Sequence, residues 1–302
     1  METFIKIFEE PIKKAIAISK VPSVVTGDNV YQEGDRDILT ILDGMASSQL
    51  LPGSGVDGME NLEDLLAKAE SGKSCLLLLE HYSNFDLTLF CLLVRQAGGR
   101  GNDIANAVIA IAGMKLNEDN PVVAAFAGGY TRIVIYPSRS LQGLGAESQT
   151  EQVSTELARS SAINRAAMKT LDEVKTQGKL ILVFPSGTRY RPWDPSTKKG
   201  VREIDSYIRS FDYMCCVALN GEVLHVQRTD MINDTVSKDI VRITAGPVRS
   251  CAQFRDRARS AAEAAGIEDK KQAAVDAIMA ELEELHAAAE EKRKKLLGGL
   301  HG

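Results

Sequence analysis

Leu76-Leu-Leu-Leu-Glu-His-Tyr-Ser-Asn-Phe-Asp86 is a short apolar run that stops at a histidine and meets an aspartate five positions later. Too short for a buried helix, the run reads as a strand covered on both faces. About a hundred residues further on, Val183-Phe-Pro-Ser-Gly-Thr-Arg-Tyr-Arg-Pro192 repeats the arrangement, with an apolar run ending in a Pro/Gly turn that carries two arginines. Open α/β sheets place their ligands at the C-terminal ends of such strands. One segment supplies a base, the other an anion clamp.

Residues five apart on a helix lie about 140° apart, so His81 sits in the turn before the helix if its imidazole is to meet Asp86. Ser83 with Asp86 three residues later, ahead of Leu87-Thr-Leu-Phe-Cys-Leu-Leu-Val94, fits a capping pattern and puts the carboxylate at the third helical position, facing back toward His81. A carboxylate there fixes the imidazole tautomer and stabilises the imidazolium that forms on proton uptake. The pattern alone also suits a plain helix cap. In the second segment, Arg189 and Arg191 stand two apart in extended or turn-like chain, so both guanidiniums are expected on one side. Two such cations suit a phosphate or carboxylate between them, and a solvated loop is the competing reading.

With these residues in view, the chain resembles the glycerol-3-phosphate acyltransferases, in particular their soluble, plastid-type branch. The wider superfamily carries His-x4-Asp and Phe-Pro-Glu-Gly-Thr-Arg, and here the latter reads Phe184-Pro-Ser-Gly-Thr-Arg189, with Ser186 in place of Glu. Pro185-Ser-Gly-Thr-Arg-Tyr-Arg-Pro-Trp-Asp-Pro-Ser-Thr197 is similar to a longer block of the soluble branch. Ala112-Gly-Met-Lys-Leu-Asn-Glu-Asp-Asn-Pro121 and Ile133-Val-Ile-Tyr-Pro-Ser-Arg-Ser140 are similar to its central segment, with Ser140 standing where that branch has a histidine. The likeness covers roughly residues 70 to 225.

The resemblance implies acyl transfer from a thioester of acyl carrier protein or coenzyme A to the sn-1 hydroxyl of glycerol 3-phosphate, the first step of phospholipid synthesis. His81 is then the general base and Asp86 its orienter. Arg139, Arg189 and Arg191, with Lys115 and Ser140, hold the substrate phosphate. Ser186, Gly187 and Thr188 form a turn whose amides serve the oxyanion or the phosphate. No metal or other cofactor is implied. Two alternatives stay open: acylation of lysophosphatidate, and a lipid- or phosphate-binding relative without catalysis.

The expected fold is α/β, a mainly parallel, helix-covered mixed sheet over residues 71–302 with C-terminal helices, preceded by a small helical domain over 1–70. Strands are expected at Leu76–Leu79, Ala107–Ile111, Arg132–Tyr136, Leu180–Phe184, Tyr213–Leu219, Val223–Gln227 and Val241–Ala245, alternating with helices. Residues 138–153, with Gly143, Gly145 and Ser148, read as a long lid-like loop. Phe4–Ile18 reads as an amphipathic helix interrupted at Pro11, either a bundle helix or an interfacial one. His225 reads as a satisfied core or edge histidine. Gly72-Lys-Ser74 precedes a strand instead of following one, so it is no phosphate loop.

The 302 residues suffice for a large core without staples. A net charge of −5, with both signs spread along the chain, speaks against nucleic acid as a partner. Five scattered cysteines lack zinc-ligand spacing and read as buried apolar residues. No apolar run approaches the roughly 20 residues of a membrane span. The expectation is a soluble cytoplasmic protein, or a stromal one if it is a mature plastid protein, with at most peripheral membrane contact. The basic end Glu290-Glu-Lys-Arg-Lys-Lys295 and the trio Arg255, Arg257 and Arg259 read as solvated helix faces, with contact to an acidic partner as the competing reading.

Overall fold

The computed structural model describes residues 1–142, 151–229 and 233–300, without the side chains of Arg139, Gln142, Glu151, Gln152 and Leu300. It is an α/β protein with a mixed, mainly parallel arrangement of strands. The chain divides into two compact units, and the division does not fall at residue 70. One unit comprises Met1–Phe8, Asp43–Val108 and Lys175–Gly302, the other Glu9–Leu42 and Ile109–Val174.

The first unit is built on Cys75–Leu79, every residue of which is buried. This strand runs parallel to Leu180–Val183 on one side, with Leu76 opposite Ile181, and parallel to Tyr213–Asn220 on the other, with Leu76 opposite Met214. Arg242–Ala245 pairs antiparallel with Tyr213–Asn220, and Gly55–Asp57 adds a parallel edge strand to it. Residues 55–57 lie in what reads as a Gly-rich break, because three residues carry too little alternation to announce a strand. Their pairing ties this early segment into the sheet. Leu76, Leu77, Leu78 and Leu79 are wholly inaccessible; each contributes roughly 1.5–3 kcal/mol by leaving water. Met59–Glu70, whose Leu62, Leu65, Leu66 and Ala69 are buried, and the long helix Lys270–Leu300 both pack against Tyr213–Asn220.

The expected strand at Val223–Gln227 is only Leu224–His225 and lies outside the main sheet. It joins Thr235–Val236 and Glu2–Thr3 in a small antiparallel sheet. His225 is satisfied there, between Ser237 Oγ at 2.7 Å and Glu222 Oε2 at 3.2 Å. The N-terminal helix does break, at Phe8 and not at Pro11: Phe4–Ile7 ends and Glu9–Ile18 begins. Pro11 is the third residue of the second helix, where its missing N–H would have had no intrahelical partner. Phe4 and Phe8 are buried against Phe85, with ring centroids 5.5 and 6.4 Å away.

The second unit carries Val108–Gly113, which begins at the boundary residue, parallel to Arg132–Ile135, with Tyr31–Gln32 antiparallel on the latter. Helices Pro121–Ala127 and Glu151–Val174 belong to the same unit. Asn120 caps the former by accepting from Val122 N and Val123 N. The expected long loop over 138–153 is helical at Ser138–Gln142 and again from Glu151, because Ser-Arg-Ser-Leu-Gln and the chain after residue 150 are compatible with helix. Gly143, Gly145 and Ser148 lie outside the described residues. Among the described residues no helix is long and apolar enough to cross a membrane.

Candidate functional site

Because Cys75–Leu79 and Leu180–Val183 are adjacent and parallel, both polar segments leave the sheet at the same end. They touch at once. The imidazole of His81 stacks on the Phe184 ring, with centroids 3.9 Å apart and planes 17° apart, and Tyr190 N donates to His81 O at 2.8 Å.

His81 Nδ1 lies 2.9 Å from Asp86 Oδ2. That oxygen also accepts from Tyr82 N at 2.5 Å and Ser83 N at 2.8 Å, and Oδ1 accepts from Ser83 Oγ at 2.7 Å. Four donors converge on a side chain that is 1% exposed. A carboxylate so placed is an acceptor throughout, so Nδ1 carries the imidazole proton and Nε2 is left to accept another. The helix starts at Asp86 itself, two residues later than the capping pattern places it. Ser83 N–H bonds the Asp86 carboxylate as the capping pattern expects, but in a turn that precedes the helix, where Ser83 Oγ accepts from Phe85 N and not from Asp86 N.

The second segment divides its two arginines. Arg189 Nη1 donates at 2.7 Å to Asp234 Oδ2, a carboxylate 1% exposed whose other oxygen accepts from Gln227 N. Burial pushes the Asp234 carboxyl up, against the pull of Gln227 N and Arg189. Arg189 is therefore committed to an internal acid. Arg191 is exposed, has no ion pair among the described residues, and spends only its backbone N–H, on Thr197 Oγ1. In the turn between, Gly187 takes a left-handed φ of +61° and its N–H closes on Phe184 O at 2.8 Å. Gly187 is thereby removed as an oxyanion donor. Ser186 is buried and donates through Oγ to Thr188 O, while the Thr188 N–H has no partner among the described residues.

The other expected phosphate ligands belong to the second unit. Lys115 opens the short helix Lys115–Glu118, is exposed, and has no ion pair among the described residues. Ser140 is half-buried in Ser138–Gln142, its N–H bonded to Pro137 O. Arg139 lies in the same helix, its side chain outside the described residues.

A small cleft of about 20 Å³ lies against His81, lined also by Glu80, Tyr82, Ser186 and Tyr190 from the two segments and by Met279 and Leu282 from the C-terminal helix. Glu80, Tyr82 and His286 were not singled out by the sequence. Glu80 is 5% exposed in its side chain and accepts from Leu219 N, Tyr82 Oη and His286 Nδ1, each at 2.9 Å. Burial alone pulls the His286 imidazole down, but the hydrogen bond and charge of Glu80 outweigh it, and the net shift is upward. Burial, with Glu80 beside it, holds the Tyr82 phenol far above its usual range. No local pattern marks this trio, since Glu80 and His286 are joined only by the fold.

All five cysteines are free and buried, and burial pushes the thiols of Cys75, Cys91, Cys215 and Cys251 up to about 12. They are inert packing groups. Arg255 is paired with Asp205 at 2.7 and 3.0 Å, which removes it from the basic trio. Among the described residues no cluster of three or more His, Cys, Asp or Glu is placed to hold a metal ion. Comparison of the chain with protein-family models and with curated proteins returns no match.

Proposed function

We propose that the protein transfers a fatty acyl group from a thioester to a hydroxyl of glycerol 3-phosphate. The observation that carries this reading is the buried Asp86 carboxylate, held by three local donors and directed at His81 Nδ1, at the strand end beside the Pro185–Arg191 turn. A primary hydroxyl is a weak nucleophile at neutral pH, and a base at His81 Nε2 removes its proton as the oxygen attacks the thioester carbonyl. Asp86 holds the ring and stabilises the imidazolium. The unpartnered Thr188 N–H is the turn amide best suited to the developing oxyanion. Arg191, with no ion pair among the described residues, is the guanidinium in this unit suited to a phosphate.

The test is acyl transfer from acyl carrier protein and from coenzyme A thioesters to glycerol 3-phosphate and, separately, to lysophosphatidate, with His81→Ala as the blank. Transfer to glycerol 3-phosphate that falls by about 10²–10⁴-fold in His81→Ala supports the reading. Transfer to lysophosphatidate alone moves the acceptor one acylation later, and the absence of transfer to both overturns it.

A further inference from the structure

Tyr82 stands between two histidine–carboxylate pairs. Its backbone N–H donates to Asp86, the partner of His81, and its hydroxyl donates to Glu80, the partner of His286. In both pairs the carboxylate engages Nδ1 and leaves the same nitrogen, Nε2, outside the pair. His286 Nε2 has no partner among the described residues. The ring lies against Tyr82 with centroids 5.7 Å apart, and Tyr82 Oη is 3.3 Å from its Nδ1. Met279, Leu282 and His286 follow i, i+3, i+7 spacing and so share one face of the Lys270–Leu300 helix, the face whose Met279 and Leu282 line the cleft beside His81.

We infer that His286, held by Glu80, is a second catalytic histidine, the acid that protonates the sulfur leaving the acyl thioester. The inference rests on the acyl-transfer reading above. As the acceptor oxygen bonds to the carbonyl carbon, its proton passes to His81 Nε2. The C–S bond breaks with its electron pair on sulfur, and the sulfur takes the proton of His286 Nε2. His81 gains one proton and His286 loses one, and exchange with water restores both. An alkyl thiol has a pKa near 8.5. A histidine raised above its ordinary value by Glu80 is matched to that leaving group. The other charged groups around the ring are Lys198 on the turn after Pro192, which opposes the charged form, and Glu283 and Glu290 on its own helix. A purely structural tie would need only the Nδ1 bond.

The variant that separates the two roles is His286→Asn, whose amide can still donate to Glu80 but offers nothing in place of Nε2. Initial rates are measured against pH with two donors of the same fatty acid, its coenzyme A thioester and its S-phenyl thioester. A thiol of lower pKa departs faster and needs no acid. The parent is expected to lose rate with the alkyl thioester at alkaline pH, where His286 gives up its proton. His286→Asn should lose about 10²-fold with the alkyl thioester together with the alkaline limb, and should match the parent with the aryl thioester. Equal rates with both donors, or equal losses with both, overturn the assignment and leave His286 a structural tie. Absence of transfer by the parent from either donor overturns the acyl-transfer reading as well.

Discussion

The two histidine–carboxylate pairs are alike in geometry and opposite in construction. His81 and Asp86 are five residues apart, and their 2.9 Å contact is fixed by one turn whose own backbone and Ser83 hydroxyl bond the rest of the carboxylate. His286 and Glu80 meet at the same distance across 206 positions, and the bond exists only because the C-terminal helix packs on the Tyr213–Asn220 strand. A locally built pair is as rigid as its turn. A pair built by packing is as rigid as the docking of its helix, and it reports on that docking.

The sharpest way to break the comparison is Asp86→Asn. The amide keeps the size of the side chain and leaves one oxygen for Tyr82 N, Ser83 N and His81, while its new N–H₂ can meet Ser83 Oγ. The turn should survive and the charge should not. The expected result is a fall of about 10²–10⁴-fold in kcat with little change in thermal midpoint, because the imidazolium loses its counter-charge. Steady-state kinetics beside thermal unfolding check this; an unchanged kcat would reduce Asp86 to a helix cap.

The arginines extend the contrast between local and packed construction. Arg189→Ala leaves the buried Asp234 carboxylate without its counter-charge, with only Gln227 N still donating to it, which costs about 3–5 kcal/mol of stability. The same carboxylate neighbours Phe4, whose N–H bonds Asp234 O, so the small N-terminal sheet should loosen with it. Arg191→Ala removes an exposed cation that has no ion pair among the described residues. It should leave stability within about 0.5 kcal/mol and raise KM for glycerol 3-phosphate by roughly tenfold or more, the loss of one charged hydrogen bond, with KM for the thioester unchanged. Denaturant titration and two-substrate kinetics separate the effects. A KM change specific to glycerol 3-phosphate in Arg189→Ala, without loss of stability, would reverse the division of labour.

The same contrast explains what was legible in the sequence. Leu76–Leu79 and Leu180–Val183 announced themselves as unbroken apolar runs closed by polar or Pro/Gly turns, and their parallel pairing follows from the intervening helical stretches. His81 with Asp86 was legible because a few residues contain every partner. The helix start was placed early, since a capping pattern fixes which groups bond and not where the first helical turn begins. Asp234 looks like any other aspartate until folding buries it, so the two arginines read as one clamp. Gly55–Asp57 and Tyr31–Gln32 are too short to show a period. Glu80 and His286 carry no spacing at all. Their signal is a single charged residue closing an apolar strand, which burial makes costly unless a partner is found.

The smallest effect tests the packed pair directly. His286 gains its upward shift from Glu80 on folding, so the folded state binds its proton more tightly than the unfolded chain. Stabilisation from the pair is then fully present below the unfolded value, about 6.5, and is lost as pH rises through the folded value. Unfolding free energy should accordingly decline between slightly acidic and mildly alkaline pH relative to His286→Asn, which has no proton to lose. Glu80→Gln should abolish the same slope, because the amide neither charges nor pulls on the imidazole. Denaturant midpoints measured across that range for the three proteins decide it. A decline that persists undiminished in both Glu80→Gln and His286→Asn would place the titration elsewhere, at His225 beside Glu222, the other histidine whose partner raises it.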